Sequence, residues 1–323
     1  MSLLLTGATG FVGQHLVSEL KRRNLPYQIA VRTQAGNSAH SECIRVGDIN
    51  AHTAWSQALE GVTDVVHLAA RAHITQETSS DAYAAFRAVN TAGTLNLARQ
   101  AAAAGVRRFV FLSSVKVNGE GSPHAYRETD TPAPEDAYAV SKWEAEQGLW
   151  KISAETGMQM VILRIPLVYG PGVGANFLQL LQTVNKGWPL PLRGIANRRS
   201  LLYIGNLVDA ILVVLEHPDA ANKLYLLSDE QDVSTSQLVE LIAKALKKPA
   251  RLFAVPQGLV RAAAGVLGKS SAVDRLFGSL YLDSAKIQQE LGWVPPFSMQ
   301  AGLNETANWY KGVSLNSVGF EKL

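Results

Sequence analysis

One cysteine, Cys43, stands in 323 residues. A disulfide within the chain is therefore excluded, which fits a reducing compartment. No reactive motif surrounds Cys43, so it reads as part of a strand core. No apolar run approaches the roughly 18 residues of a membrane span, and the first residues lack the basic leader and long apolar stretch of a secretory signal. A cytoplasmic location is expected. The net charge is only +3 and no basic run stands out, which leaves little support for nucleic-acid binding. His67 and His73 lack acidic or cysteine companions at zinc-ligand spacing, so no metal is expected. His67 reads as a packed strand residue. Repeats and low-complexity tracts are absent, so the chain is neither a solenoid nor a linker array.

With 47% apolar and 18% charged residues, the chain has the balance of a soluble globular protein. Strand and helix patterns alternate through the first half. Residues 2–5, 28–31, 43–46, 65–68, 107–114 and 158–165 read as strands. Residues 12–23, 82–104 and 136–156 read as helices. This alternation predicts an α/β fold of the Rossmann type, a doubly wound parallel sheet. After Pro166 the pattern loosens. Strands fit 201–204 and 224–227, and helices fit 177–186, 206–216, 234–246, 257–267, 284–291 and 299–310. The expected organisation is a dinucleotide-binding domain over 1–166 with returning segments at about 200–227. A smaller substrate-binding lobe would then cover 167–199 and 228–323.

"TGATGFVG" follows the first strand. Gly7 permits a tight turn, Gly10 lets backbone approach a diphosphate, and Gly13 lets the helix pack closely. The helix start adds amides and partial positive charge for phosphate. The second predicted strand ends in "AVRT", with Arg32 and no acid before Glu42. A guanidinium suits a 2′-phosphate, so NADP(H) is expected over NAD(H). The bland alternatives are an exposed strand end or stacking on adenine. Asp48 in "VGDI" could reach the adenine amino group or cap a turn.

"YAVSK" sets Tyr138 and Lys142 four residues apart, on one helix face. A phenol with a pKa of roughly 10 is a poor acid–base group near neutrality, and a neighbouring ammonium favours its phenolate. Ser114, ending a strand, can bond the same substrate oxygen. This set can move a proton at an alcohol while a nicotinamide exchanges hydride with its carbon.

"TGATGFVG", "GDI", "HLAA", "VNTAGT", "FVFLSS", "YAVSK", "LRIPLVYGPG" and "LGWVPPFS" occur in that order over nearly the whole chain. In this the sequence resembles the extended short-chain dehydrogenase/reductases of the nucleotide-sugar epimerase/dehydratase group. The resemblance implies Ser114, Tyr138 and Lys142 as the catalytic set, with Asn90 near cofactor and active-site water. It implies a cofactor lined by Gly7, Thr9, Gly10, Phe11, Val12, Gly13, Ile49, Leu68, Ala69 and Ala70, and by a loop from Pro166 to Val168. It maps Asn176, Arg199 and Arg275 onto diphosphate contacts, with Arg198 an equally basic neighbour. Arg71 and Lys116 are less usual residues near the expected sugar site, each a substrate contact or an outward-facing charge.

Dehydratases of the group carry Asp-Glu after the catalytic hydroxyl residue, where this chain has Val115 and Lys116. Dehydration is therefore not expected. "HLAARAH" and "SSVKVNGEG" resemble NADPH-dependent reductases of bacterial surface-polysaccharide synthesis. These reduce the 4-keto group of UDP-linked 4-keto-6-deoxy-N-acetylhexosamines to UDP-N-acetylquinovosamine or UDP-N-acetylfucosamine. That is the leading expectation; a UDP-hexose or UDP-N-acetylhexosamine 4-epimerase with tightly held NAD is the alternative. A non-catalytic NADP-sensing scaffold is disfavoured by the complete catalytic set. The resemblance also implies a homodimer built on the helices at 82–104 and 136–156.

Overall fold

The computed structural model describes residues 2–33, 43–72, 80–256, 258 and 276–319. Its centre is a seven-stranded, all-parallel sheet in the order β3-β2-β1-β4-β5-β6-β9. The strands are β1 (Leu3–Thr6), β2 (Tyr27–Val31), β3 (Cys43–Arg45), β4 (Asp64–His67), β5 (Arg108–Ser114), β6 (Gln159–Ile165) and β9 (Lys223–Leu226). Helix α1 (Phe11–Arg22) follows β1, and α2 (Ser80–Phe86) and α3 (Thr94–Ala103) follow β4. Helix α4 (Ala137–Thr156) joins β5 to β6. The expected doubly wound fold is the one observed.

The strands are runs of apolar residues because both faces of the sheet are covered. Register puts Leu4, Val65, Phe109 and Met160 in one row and Leu5, Val66, Val110 and Val161 in the next. Adjacent residues of a strand point to opposite faces. The first row packs with Leu97, Ala98, Ala145 and Leu149 of α3 and α4. The second packs with Leu16 and Leu20 of α1 and with α6 (Ile204–Glu216). That second core continues into α5 (Ala175–Asn185), α7 (Thr235–Leu246), α8 (Ala285–Leu291) and α9 (Met299–Gly319). Among the described residues, no helix is long and apolar enough to cross a membrane.

Four local expectations differ from the structure. The single helix read over 82–104 is interrupted by a π-helical turn, Arg87–Gly93, which hydrophobic spacing does not register. The segment containing Val168, expected as loop, is a short strand, β7 (Leu167–Tyr169). It pairs in parallel with β8 (Leu201–Tyr203) in a separate two-stranded sheet, so β8 does not return to the main sheet. The helix at 299–310 runs on to Gly319. The helix expected at 257–267 lies outside the described residues.

Candidate active site

The turn between β1 and α1 is built by backbone proximity. Gly7 has φ +73°, and a Cβ there would lie 2.7 Å from the Ala69 nitrogen. The carboxyl ends of β1 and β4 therefore meet at Gly7, and Thr6 ties them: its Oγ1 accepts the Ala69 N–H at 3.2 Å and bonds His67 Nδ1 at 2.7 Å. Leu68, Ala69 and Ala70 thus border the turn. At Gly13 a Cβ would stand 2.2 Å from the Gly7 carbonyl oxygen and 2.6 Å from Ala8 Cα. Gly13 is needed for the helix to close on the turn itself, rather than on the strand. At Gly10 a Cβ would stand 3.3 Å from the Gly7 carbonyl oxygen, a tight but less severe contact. Helix α1 starts there with no side-chain cap and no acid in its first turn. Uncapped amides at a positive helix end fit a dinucleotide diphosphate. Gly13→Ala is expected to lose about 1–3 kcal/mol of stability and to weaken dinucleotide binding at least tenfold. Thermal melts and cofactor titration check both.

Arg32 and Asp48 meet at the rim beyond β2 and β3, Arg32 Nε 3.0 Å from Asp48 Oδ1, with both side chains more than three-quarters exposed. Arg32 is not a lone cation there. An acid stands beside it, supplied by the next strand's loop rather than by the end of β2, and Asp48 is engaged by Arg32. The rim carries both charges side by side.

Asn90 lies in the π turn and is buried. Its Oδ1 accepts the Arg71 N–H at 2.8 Å. Its Nδ2 donates to the Arg71 carbonyl at 3.1 Å and to Ser141 Oγ at 3.0 Å. It braces the segment after β4 against α4, one residue before Lys142. π turns are frequent at functional sites, and this one aims an amide that regular helix would direct elsewhere.

Ser114 closes β5, and Asp136 caps α4 by accepting the Ala139 N–H at 2.7 Å. This delivers Tyr138 to Ser114, whose hydroxyl favours the phenolate. The Tyr138 ring meets Phe86 edge-on at 6.1 Å. Burial pushes the Tyr138 phenol up to about 12, the Asp136 charge adds to this, and the Ser114 bond opposes it. Lysine four residues on was expected to lower it. Burial wins, and it also acts on the lysine: Lys142, 2% exposed, is drawn down to about 7, with Glu146 opposing. Its Nζ sits 3.9 Å from the Phe111 ring centre. His67, bonded to Thr6 and through Nε2 to Thr94 Oγ1 at 2.9 Å, is held neutral, its pKa drawn down to about 3 by burial and then by Lys142.

The Lys142 shift predicts a pH-dependent stability. Its folded pKa is about 7, below the ordinary 10.5, so between these values the unfolded chain holds the extra proton. Stability is reduced below pH about 7 and recovers as pH rises, at most about 1.4 kcal/mol per unit. Denaturant melts from about pH 7 to 9 should show this rise in the native protein and a flatter course in Lys142→Met.

Behind the site lies a charge pair that sequence reasoning missed. Arg164 on β6 and Glu146 on α4 are both buried, Nη2 to Oε2 at 2.6 Å. Glu146 also accepts from Ser113 Oγ at 2.5 Å, and Arg164 donates to Asn118 Oδ1 at 3.0 Å. The signals were present: Glu146 is four residues past Lys142, and Arg164 interrupts an apolar strand that leaves a charge no exit.

The candidate substrate residues divide. The Arg71 guanidinium is 6.0 Å from the Phe86 ring centre, and Phe86 touches Tyr138, so Arg71 flanks the site. Lys116 is tied within the chain, to Glu120 at 2.5 Å and Asp136 at 2.7 Å. It is therefore not a free surface charge. Asn176 is exposed in the first turn of α5, after Ala175 at φ +48°. Arg199 pairs by backbone with Val233 and Leu280, and its Nη1 donates to the Gly278 carbonyl at 3.1 Å. Arg198 instead pairs with Asp232 at 2.9 Å and lies over Tyr281. Pro166 is buried and Val168 half-buried beside it. Arg275 and His73 lie outside the described residues.

Comparison with known proteins places these features in a family. Residues 3–227 match the family model described as "NAD dependent epimerase/dehydratase family". The chain is 46% identical over 310 residues to a UDP-glucose 4-epimerase of Vibrio cholerae, covering 95% of this chain and 94% of that protein. It is 28% identical over 326 residues to the N-acetyl-α-D-glucosaminyl-diphospho-ditrans,octacis-undecaprenol 4-epimerase of Escherichia coli O157:H7, covering 95% of each. Among solved structures, the UDP-glucose 4-epimerase of Thermotoga maritima with UDP-glucose superposes with a TM-score of 0.76 at 22% identity, over 97% of this chain and 100% of that one. The glycine turn, the parallel sheet and the family match over most of the chain lead to one conclusion: the chain belongs to the NAD-dependent epimerase/dehydratase family.

Proposed function

We propose that this chain is a 4-epimerase of a UDP-linked hexose or N-acetylhexosamine, working with retained NAD. The observation that carries this reading is the 46% identity to a UDP-glucose 4-epimerase across 95% of the chain. It displaces the 4-keto reductase as the leading reading. Tyr138 would take the C4 hydroxyl proton and return it; Ser114 would hold the same oxygen; Lys142, one turn on, would lend positive charge and hold the cofactor's nicotinamide end. Bound NAD would supply the hydride acceptor and donor for C4. The uncapped α1 turn from Gly7 to Gly13 would hold the diphosphate of NAD, with Arg32 and Asp48 at the adenosine end. The lobe over 167–199 and 228–323, through Asn176 and Arg199, would hold UDP, and the active form would be a cytoplasmic homodimer. Dehydration is disfavoured, because Val115 is buried and Lys116 is engaged by two carboxylates.

The second reading, an NADPH-dependent 4-keto reductase, is supported by Arg32 at the end of β2. One experiment separates them. Purified protein is denatured and its released dinucleotide identified; native protein is then given UDP-galactose and UDP-N-acetylgalactosamine. The epimerase releases NAD and interconverts the sugars with no net change in nicotinamide absorbance. An empty protein that prefers NADPH and leaves both sugars unchanged overturns the epimerase in favour of the reductase.

A further inference from the structure

We propose that Lys116 is a positioning residue for Tyr138: by pairing with Asp136 at the start of α4, it screens that carboxylate from the phenol and sets the seat of Ser114. The inference rests on Tyr138 as the acid–base group, common to both readings above.

The geometry is specific. Asp136 divides its two oxygens: Oδ1 accepts the Ala139 N–H at 2.7 Å, and Oδ2 takes the Lys116 ammonium at 2.7 Å. The cap holds this carboxylate two residues before Tyr138, where its charge opposes loss of the phenolic proton. It cannot swing away without uncapping the helix. The opposing cation must therefore come from elsewhere, and Lys116 brings it from the 3-10 turn after β5, Val115–Val117. That turn is anchored to the cap segment by the Ala133 N–H donating to the Val117 carbonyl at 3.0 Å. The Lys116 N–H in turn donates to Ser114 Oγ at 3.3 Å. One residue thus touches the serine with its backbone and neutralises the carboxylate with its side chain. Glu120, the other partner at 2.5 Å, keeps the ammonium charged and aimed. Among the described residues, the charged groups on the elements packed about the phenol include Asp136 and Lys142 from α4, Lys116 and Glu120 from the segment after β5, and Arg71 beyond Phe86.

Lys116→Met leaves Asp136 and Glu120 without their cation. The acidic limb of the kcat/KM profile of the NAD-loaded enzyme should move up by about one pH unit, with turnover near neutrality down about tenfold. Lys116→Arg should restore the profile. Asp136→Asn keeps the cap and removes the charge, and in that background Lys116→Met should move the limb by less than half as much. Tyrosinate absorbance of the NAD complex, with the Tyr138→Phe spectrum subtracted, reads the same shift without turnover. Its presence in a protein inactive on every UDP-sugar would sink the epimerase reading and leave this one standing. A folded Lys116→Met whose limb does not move, or whose loss is equal at every pH, overturns the proposal. So does an undiminished shift in the Asp136→Asn background.

Discussion

Tyr138→Phe is expected to lower turnover by about 10²–10⁴ while leaving the fold intact. The variant keeps the ring and its edge contact with Phe86 and removes only the hydroxyl that Ser114 engages. Ser114 is not a substitute base, since its hydroxyl holds its proton far more tightly than a phenol. Lys142 points its ammonium at the Phe111 ring, not at the reacting oxygen's place as a second base. A thermal midpoint within a few degrees of the native value, unchanged UDP-sugar affinity and collapsed kcat are the expected set of results. Native-like turnover would remove both enzymatic readings at once.

Breaking the Glu146–Arg164 pair should produce the largest loss of stability. Both side chains are buried, at 0% and 2% exposure, and each closes several bonds. Glu146→Gln leaves the Arg164 guanidinium charged without a counter-ion, at a cost of about 3–5 kcal/mol. Replacing both, Glu146→Leu with Arg164→Met, removes the isolated charge and should cost less than either single change. Denaturant midpoints of the two single variants and the pair test this; additive losses would contradict it. Glu146 also supports the charge on Lys142. In Glu146→Gln the lysine pKa should therefore fall further, and the alkaline recovery of stability should begin at lower pH.

The fold could be read from the sequence because apolar strands and amphipathic helices alternate, and that periodicity survives without any partner being known. The bend at Asn90 could not, because a π turn shifts hydrogen bonding without changing which residues are apolar. Ser114, Tyr138 and Lys142 are brought to one place because strand end, cap and helix spacing were each visible. Their electrostatics were less legible: the sequence shows that a lysine is four residues away, but not that Lys142 is buried or that desolvation raises the phenol. For a related reason the sequence does not show what holds Lys116 and Asp48. Each is paired with a residue from another segment, and such pairing exists only after folding. Position 275 and the helix over 257–267 lie outside the described residues.

The strand order has a consequence for how the chain is made. β1, made before the other strands of this sheet, lies near its middle, flanked by β2 and β4. The sheet can therefore grow outward on both sides while translation proceeds. On one side β3 closes that growth early. On the other, β6 must wait for β9, whose Lys223 pairs with Val161. During the several seconds this takes at ordinary elongation rates, β6 presents an open apolar edge of the kind that recruits other strands. The interval between β6 and β9 leaving the ribosome is thus when a nascent chain is most exposed to aggregation, and when a chaperone would have most to protect.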